Sequence, residues 1–288
     1  MPVSNRIWEP WLTRNGLTAT YLSTVEHLIM PVSKVLRERK QRGQPLIVGI
    51  SGAQGTGKST LARAIGHACT RYWGWRCAIL SLDDLYLSRD RRAQMARSFH
   101  PLFATRGVPG THDVMLGEQV LGALRSGQCC RLPRFDKGLD EPCPRRLWPR
   151  VSEPVDLVLF EGWCLGLPPE PEACLLEPIN ELEALADPHG VWRRHVNRWL
   201  GGEYTRLFAY ASCLLYLWAP DWESVCRWRS KQEGMLPSTK RMNTDELARF
   251  MLFFERLTRH GWRVMPQIAD IVVRLDEEQR VLEVRGSY

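Results

Sequence analysis

A doubly wound, mostly parallel α/β sheet is the fold class this sequence predicts, and three observations predict it. Short apolar runs at 46–50, 155–160 and 214–218, the first of them β-branched, read as buried strands. Segments with apolar residues at helical spacing alternate with them, as parallel crossover units require. Between the first strand and the first helix lies GISGAQGTGKST, which fits G-x-x-x-x-G-K-[ST] at Gly52, Gly57, Lys58 and Ser59.

Taken in order, residues 1–44 precede the first core strand and read as a docked helical segment, with 18–42 interrupted at Pro31. The domain proper is expected over 45–288. After the glycine-rich turn, Leu61, Ile65, Ala68 and Cys69 recur at helical spacing. A second strand is predicted at 76–82, helices at 89–97 and 115–125, and a short strand at 128–132. Thr111 and Asp113 are candidate caps for the second of those helices. Four prolines in 141–154 mark a loop or flap. Residues 165–210 form an insertion with helical patterns rich in Trp and Arg. Asp221 is placed to cap one late helix, and Asn243 with Glu246 to open another that ends at Gly261. Strands at 271–275 and 281–284 close the chain.

The 288 residues are 44% hydrophobic and 25% charged, the composition of a globular protein able to bury a core. The longest apolar stretch, around 211–219, is too short to span a bilayer, and the first residues carry no apolar signal region. Nine cysteines without a C-x-x-C pair predict reduced thiols and a cytoplasmic protein. Cys129, Cys130 and Cys143 are read as packing residues. A net charge of +7 suits anionic partners. The basic clusters at 34–42 and 89–97 lack interleaved aromatics and read as solvated helix faces, so a nucleic acid is not the expected partner.

Chemistry converges on the carboxyl ends of the strands, where ligands of open α/β sheets bind. The loop Gly52, Ala53, Gln54, Gly55, Thr56, Gly57 and the first helical residues Lys58, Ser59 and Thr60 form a phosphate cradle, with the three glycines keeping side chains out. The helix start adds free N–H groups and positive dipole, Lys58 reaches the phosphates, and Ser59 offers a hydroxyl to Mg²⁺. The strand at 155–160 delivers Glu161 as a second metal ligand. The second strand delivers Asp83 and Asp84, then Tyr86. Asp83 has two readings, a base for an acceptor hydroxyl or a cap for the next helix. Arg227, Arg229 and Lys231 are candidate cations over the γ-phosphate, although Arg229 points away from the other two on an ideal helix. His112 is either a substrate ligand or an incidental turn residue.

The segments GISGAQGTGKST, SLDDLY, HPLFATRGVPGTHD, LPRFDKG, DLVLFEGW and RWRSKQE resemble those of the D-glycerate 3-kinase family, in that family's order over about 45–275. The wider group contains uridine kinase, phosphoribulokinase and pantothenate kinase. The resemblance implies the P-loop nucleoside triphosphate hydrolase fold, ATP as donor and Mg²⁺ as metal. It implies that Asp83 is the general base, Glu161 the Walker B carboxylate, and 227–240, with Arg227, a lid over the nucleotide. Arg106, His112, Asp113, Arg134 and Asp136 fall in segments expected near the acceptor, and Asp84 and Tyr86 join them. The expected acceptor is a small hydroxylated, anionic metabolite, with D-glycerate first. The alternatives are a nucleoside- or pantothenate-type kinase and an ATP-binding regulatory protein without an acceptor. The chain has no N-K-x-D guanine signature, which weighs against a GTPase switch.

Overall fold

The computed structural model describes residues 3–41, 43–235 and 241–286. Six strands form its sheet: β1 (Leu46–Gly52), β2 (Cys77–Ser81), β3 (Leu157–Gly162), β4 (Cys213–Trp218), β5 (Ile271–Leu275) and β6 (Val281–Gly286). Their spatial order is β6-β5-β4-β1-β3-β2. The pairings among β1 to β5 are parallel, and β6 returns antiparallel on β5. Every residue of β1 and β3 is buried, which is why both read as unbroken apolar runs rather than as alternating ones.

Side chains still alternate between two cores. Leu46, Val48 and Ile50 join one apolar cluster and Ile47 joins the other. The first face is covered by α1 (Asn5–Arg14), α2 (Met30–Arg39) and α3 (Lys58–Trp73), with Trp8, Val25 and Ile29 wholly buried among them. The second is covered by α5 (Val114–Arg125), the insertion with α6 (Val191–Trp199), and α8 (Thr244–Ile268), through Leu121, Leu200 and Phe254. Each fully buried Leu or Ile in such a layer contributes about 1.5–3 kcal/mol.

Helix starts follow the sequence chemistry. Ser88 caps α4 (Arg89–Ser98), Asp113 caps α5, and Asp221 caps α7 (Trp222–Gly234). Asn243 and Glu246 form a reciprocal capping box at α8. The expected end of α8 at Gly261 is corrected, because the helix runs on to Ile268. A Cβ at Gly261 would meet the Tyr216 hydroxyl at 3.4 Å, an ordinary contact, and the helix simply carries this glycine in its interior. Pro31 likewise interrupts nothing abruptly: it occupies the first turn of α2, after a π turn at Val25–Ile29. The proline-rich flap carries two short ribbons, Cys130–Arg131 with Arg150–Val151 and Phe135–Asp136 with Glu141–Pro142. Cys129 is exposed on the first of them, not packed as expected. Of the predicted lid, residues 236–240 lie outside the described residues. No helix among the described residues is long and apolar enough to cross a membrane.

Candidate active site

The glycine-rich loop joins β1 to α3 at the carboxyl edge of the sheet. Gly57 sits at the helix N-cap with φ +88°, and no side chain caps the helix, so the first N–H groups of α3 face outward. The glycines divide the work differently from expectation. A Cβ at Gly57 would meet nothing within 4 Å, so this position does keep open space before the helix. At Gly55 it would lie 2.5 Å from Trp228 Cβ, and at Gly52 2.9 Å from Leu217, so those two glycines make room for protein. Thr56 Oγ1 tightens the loop by donating to the Ala53 carbonyl at 2.8 Å, and Gln279 donates to the Gly55 carbonyl. Lys58 Nζ also donates to the Ala53 carbonyl at 2.8 Å, and its burial lowers its pKa. Gln54 Oε1 is buried without a partner among the described residues, and Thr60 accepts from Arg63.

Glu161, buried at the end of β3, stands in register with Ile50 on one side and Ser81 on the other. Ser59 Oγ donates to its Oε1 at 2.8 Å. Beyond Ser81 the chain turns through a short 3-10 segment, Leu82–Leu85, that presents Asp83. The cap reading of Asp83 fails, because Ser88 occupies that position. Instead Asp83 Oδ1 accepts from the Tyr86 hydroxyl at 3.0 Å, and Oδ2 from Lys137 Nζ at 2.6 Å. Burial alone would raise the Asp83 pKa, but the Lys137 ammonium, with Lys58 behind it, holds it well below the usual carboxylate range.

The candidates for the acceptor side separate into two groups. His112 and Tyr86 gather about Asp83, and Arg106 lies over the neighbouring Phe135 ring. The His112 ring stacks on Tyr86 at 4.5 Å, and its Nδ1 lies 2.6 Å from the Tyr204 hydroxyl. The Tyr204 oxygen also accepts from the Gly110 N–H, while His112 Nε2 is buried without a partner among the described residues. Burial pushes His112 down to about 3, so the ring stays neutral. Arg106 pairs with Asp140, which also holds the buried Arg92. Arg92 thus departs from the reading of 89–97 as a wholly solvated face.

Asp84, Asp113 and Asp136 are occupied by the scaffold, and Arg134 is engaged there through Nη1. Asp84 accepts from the Phe135 N–H and from Arg134 Nη1, both at 3.1 Å, which ties the 3-10 turn to the LPRFDKG segment. Asp113 caps α5 and pairs with Arg91 at 2.7 Å. Asp136 Oδ1 accepts the N–H groups of Gly138 and Leu139, shaping the turn behind Lys137. Arg227, expected over the nucleotide, turns to Ser224 Oγ at 2.7 Å and to Glu277 at 3.1 Å on the outside of α7. Arg229 leaves by another face to Glu233, as the helical wheel predicts.

Three side chains at this edge escaped the sequence reading. Lys137 stood in plain view within LPRFDKG, yet a lysine in a turn has no spacing that separates it from surface charge. Asp140 and Tyr204 gave no local signal, because their partners lie 34 and 92 positions away.

Phosphate-cradling loop, buried strand-end carboxylate and neighbouring ionised aspartate define a P-loop kinase site. The comparisons specify which. A search of family models gave no match. The uncharacterized kinase mug58 of Schizosaccharomyces pombe is 32% identical over 244 residues, spanning 80% of this chain and 86% of that protein. The chloroplastic D-glycerate 3-kinase of Arabidopsis thaliana is 32% identical over 173 residues, 54% of this chain and 37% of that protein. Among solved structures, D-glycerate 3-kinase from Cryptococcus neoformans superposes with a TM-score of 0.72 at 24% identity, over 94% of this chain and 100% of that one. The chain belongs to the same kinase family as mug58 and is a kinase of the P-loop type.

Proposed function

We propose that the protein transfers the γ-phosphoryl group of ATP to a hydroxyl of D-glycerate or a closely similar small hydroxy acid. The observation that carries this reading is the meeting of Lys58, Ser59, Glu161 and Asp83 at one sheet edge, from three strand ends. In this reading the acceptor oxygen attacks the γ-phosphorus while its bond to the departing ADP oxygen breaks. The hydroxyl proton passes to the Asp83 carboxylate and from there to solvent. Lys58 and the N–H groups at the start of α3 neutralise the phosphate oxygens.

A Mg²⁺ ion fits the same edge. The Ser59 hydroxyl and Glu161 carboxylate are already within hydrogen-bond distance of each other. Among the described residues no group of three or more His, Cys, Asp or Glu encloses a metal, which suits an ion bound chiefly through phosphates and water. Ser59 and Glu161 would hold it, directly or through water, and it would supply positive charge against the phosphate oxygens.

D-glycerate is favoured because relatives from Arabidopsis and Cryptococcus bear that name, and because two arginines retain donors beside the site. Arg106 and Arg134 each give Nη1 to an aspartate, and among the described residues Nη2 of both remains available to an acceptor carboxylate. The test is a panel of hydroxylated acceptors with ATP and Mg²⁺, beginning with D-glycerate. Formation of phosphoglycerate supports the reading, and ATP turnover indifferent to every acceptor sinks it. A nucleoside or pantothenate as the preferred acceptor would redirect it. The nine unpaired thiols accord with a reducing, cytoplasmic setting.

A further inference from the structure

We propose that Lys137 is a positioning residue for the phosphoryl-transfer base, holding the Asp83 carboxylate ionised and fixed in orientation for the acceptor hydroxyl. The inference rests on the reading of Asp83 as that base.

The geometry is a pincer. Lys137 Nζ takes Oδ2 at 2.6 Å and the Tyr86 hydroxyl takes Oδ1 at 3.0 Å, so the two oxygens are held from different elements and the carboxylate plane is set. A carboxylate offers about four lone-pair sites, so each oxygen keeps one for the incoming hydroxyl. Both arms are braced. The Tyr86 ring lies between His112, stacked at 4.5 Å, and the edge of Phe135 at 5.4 Å. The turn bearing Lys137 is fastened before it by Asp84 to the Phe135 N–H, and behind it by Asp136 to Gly138 and Leu139. Its far end is held by Asp140, which pairs with Arg92 and Arg106.

Charge assigns the task to Lys137 rather than to a neighbour. The titratable groups facing Asp83 are Lys137, His112, Lys58, Tyr86, Asp84 and Cys164. His112 is neutral, burial keeps the Tyr86 and Cys164 protons in place, and Asp84 opposes ionisation of Asp83. Lys58 hydrogen-bonds the Ala53 carbonyl. Among the described residues Lys137 is thus the only cation in hydrogen-bond contact with the Asp83 carboxylate. Its side chain is exposed and outside both cores, so removing its charge spares the packing.

The experiment compares the wild-type full chain with Lys137→Met and Lys137→Arg, using ATP, Mg²⁺ and the acceptor found in the panel. The acid limb of the kcat/KM profile should move up by about one pH unit or more in Lys137→Met and stay near its wild-type place in Lys137→Arg. Independently of activity, the Asp83 side-chain carboxyl ¹³C resonance, assigned by its loss in Asp83→Asn, should titrate higher by a similar interval in Lys137→Met. A purely structural role would lower activity without moving either titration. An Asp83 resonance and acid limb unmoved in Lys137→Met, with Asp83→Asn inactive, overturn the role of Lys137 and leave the base intact. Full turnover in Asp83→Asn overturns the base reading itself, and the positioning role with it.

Discussion

Ser59 Oγ and Glu161 Oε1 lie 2.8 Å apart although 102 positions separate them in the chain. The parallel pairing of β1 with β3 makes that contact: Ile50 is in register with Glu161, and the loop after β1 brings the start of α3 back over the strand end. A hydroxyl and a carboxylate so placed act on one ligand together. Replacing Ser59 by Ala should raise the Mg²⁺ concentration needed for half-maximal turnover by about tenfold or more, and Glu161→Gln by about a hundredfold. Turnover titrated against Mg²⁺ checks both, and equal metal requirements in all three proteins would remove the pair from the metal site.

The loop glycines should respond differently to a single methyl group. Gly55→Ala drives a Cβ to 2.5 Å from Trp228 at a φ of +79°, so it should cost about 2–4 kcal/mol of stability by overpacking plus backbone strain. Gly57→Ala meets no atom within 4 Å and should cost only the strain, about 1–2 kcal/mol, while weakening nucleotide binding more than Gly55→Ala does per unit of stability lost. Denaturant unfolding combined with nucleotide titration separates the two.

His112 supplies a prediction in pH. Its folded pKa of about 3 lies far below the ordinary histidine value, so the unfolded chain binds the extra proton first as pH falls. The stability it contributes is complete above pH 6.5 and declines between about 6.5 and 3, with a slope approaching 1.4 kcal/mol per pH unit. His67, His195 and His260 are also lowered by burial and add to the wild-type slope. The check is the difference: His112→Gln should show a shallower fall over that window, and an unchanged slope would mean that His112 ionises freely.

Tyr204 ties the insertion to the acceptor side. Tyr204→Phe leaves the Gly110 N–H and His112 Nδ1 without their shared partner and should cost about 2 kcal/mol or more. It should also raise the KM for the acceptor while the KM for ATP holds. Parallel changes in both constants would show a general loss of structure instead.

Most of the fold was legible because buried parallel strands and capped helices carry local signals. The apolar runs around Val158 and Leu215, and the caps at Asp221 and Asn243, needed only their neighbours to be read. Gly261 misled because a glycine inside a helix is indistinguishable in sequence from one ending it. At the site, residues on strand ends or in the loop, such as Lys58 and Glu161, were foreseeable from topology. Side chains whose meaning is a distant partner were not. Asp84 and Asp113 looked like chemistry and serve as fastenings, whereas Lys137 looked like surface and grips Asp83.

The seating of Trp199 on Gly110 bears on how such enzymes diversify. A Cβ at Gly110 would fall 2.1 Å from the Trp199 ring, so the insertion and the turn before His112 fit as lock and key. The glycine-rich loop and the two carboxylates come from the strand ends of the sheet, whereas Trp199 comes from the segment between β3 and β4. Exchanging 165–210 alone between relatives should therefore fail unless the turn around Gly110 travels with it. The insertion and the Gly110 turn are thus a matched pair, seated beside a sheet edge that neither of them builds.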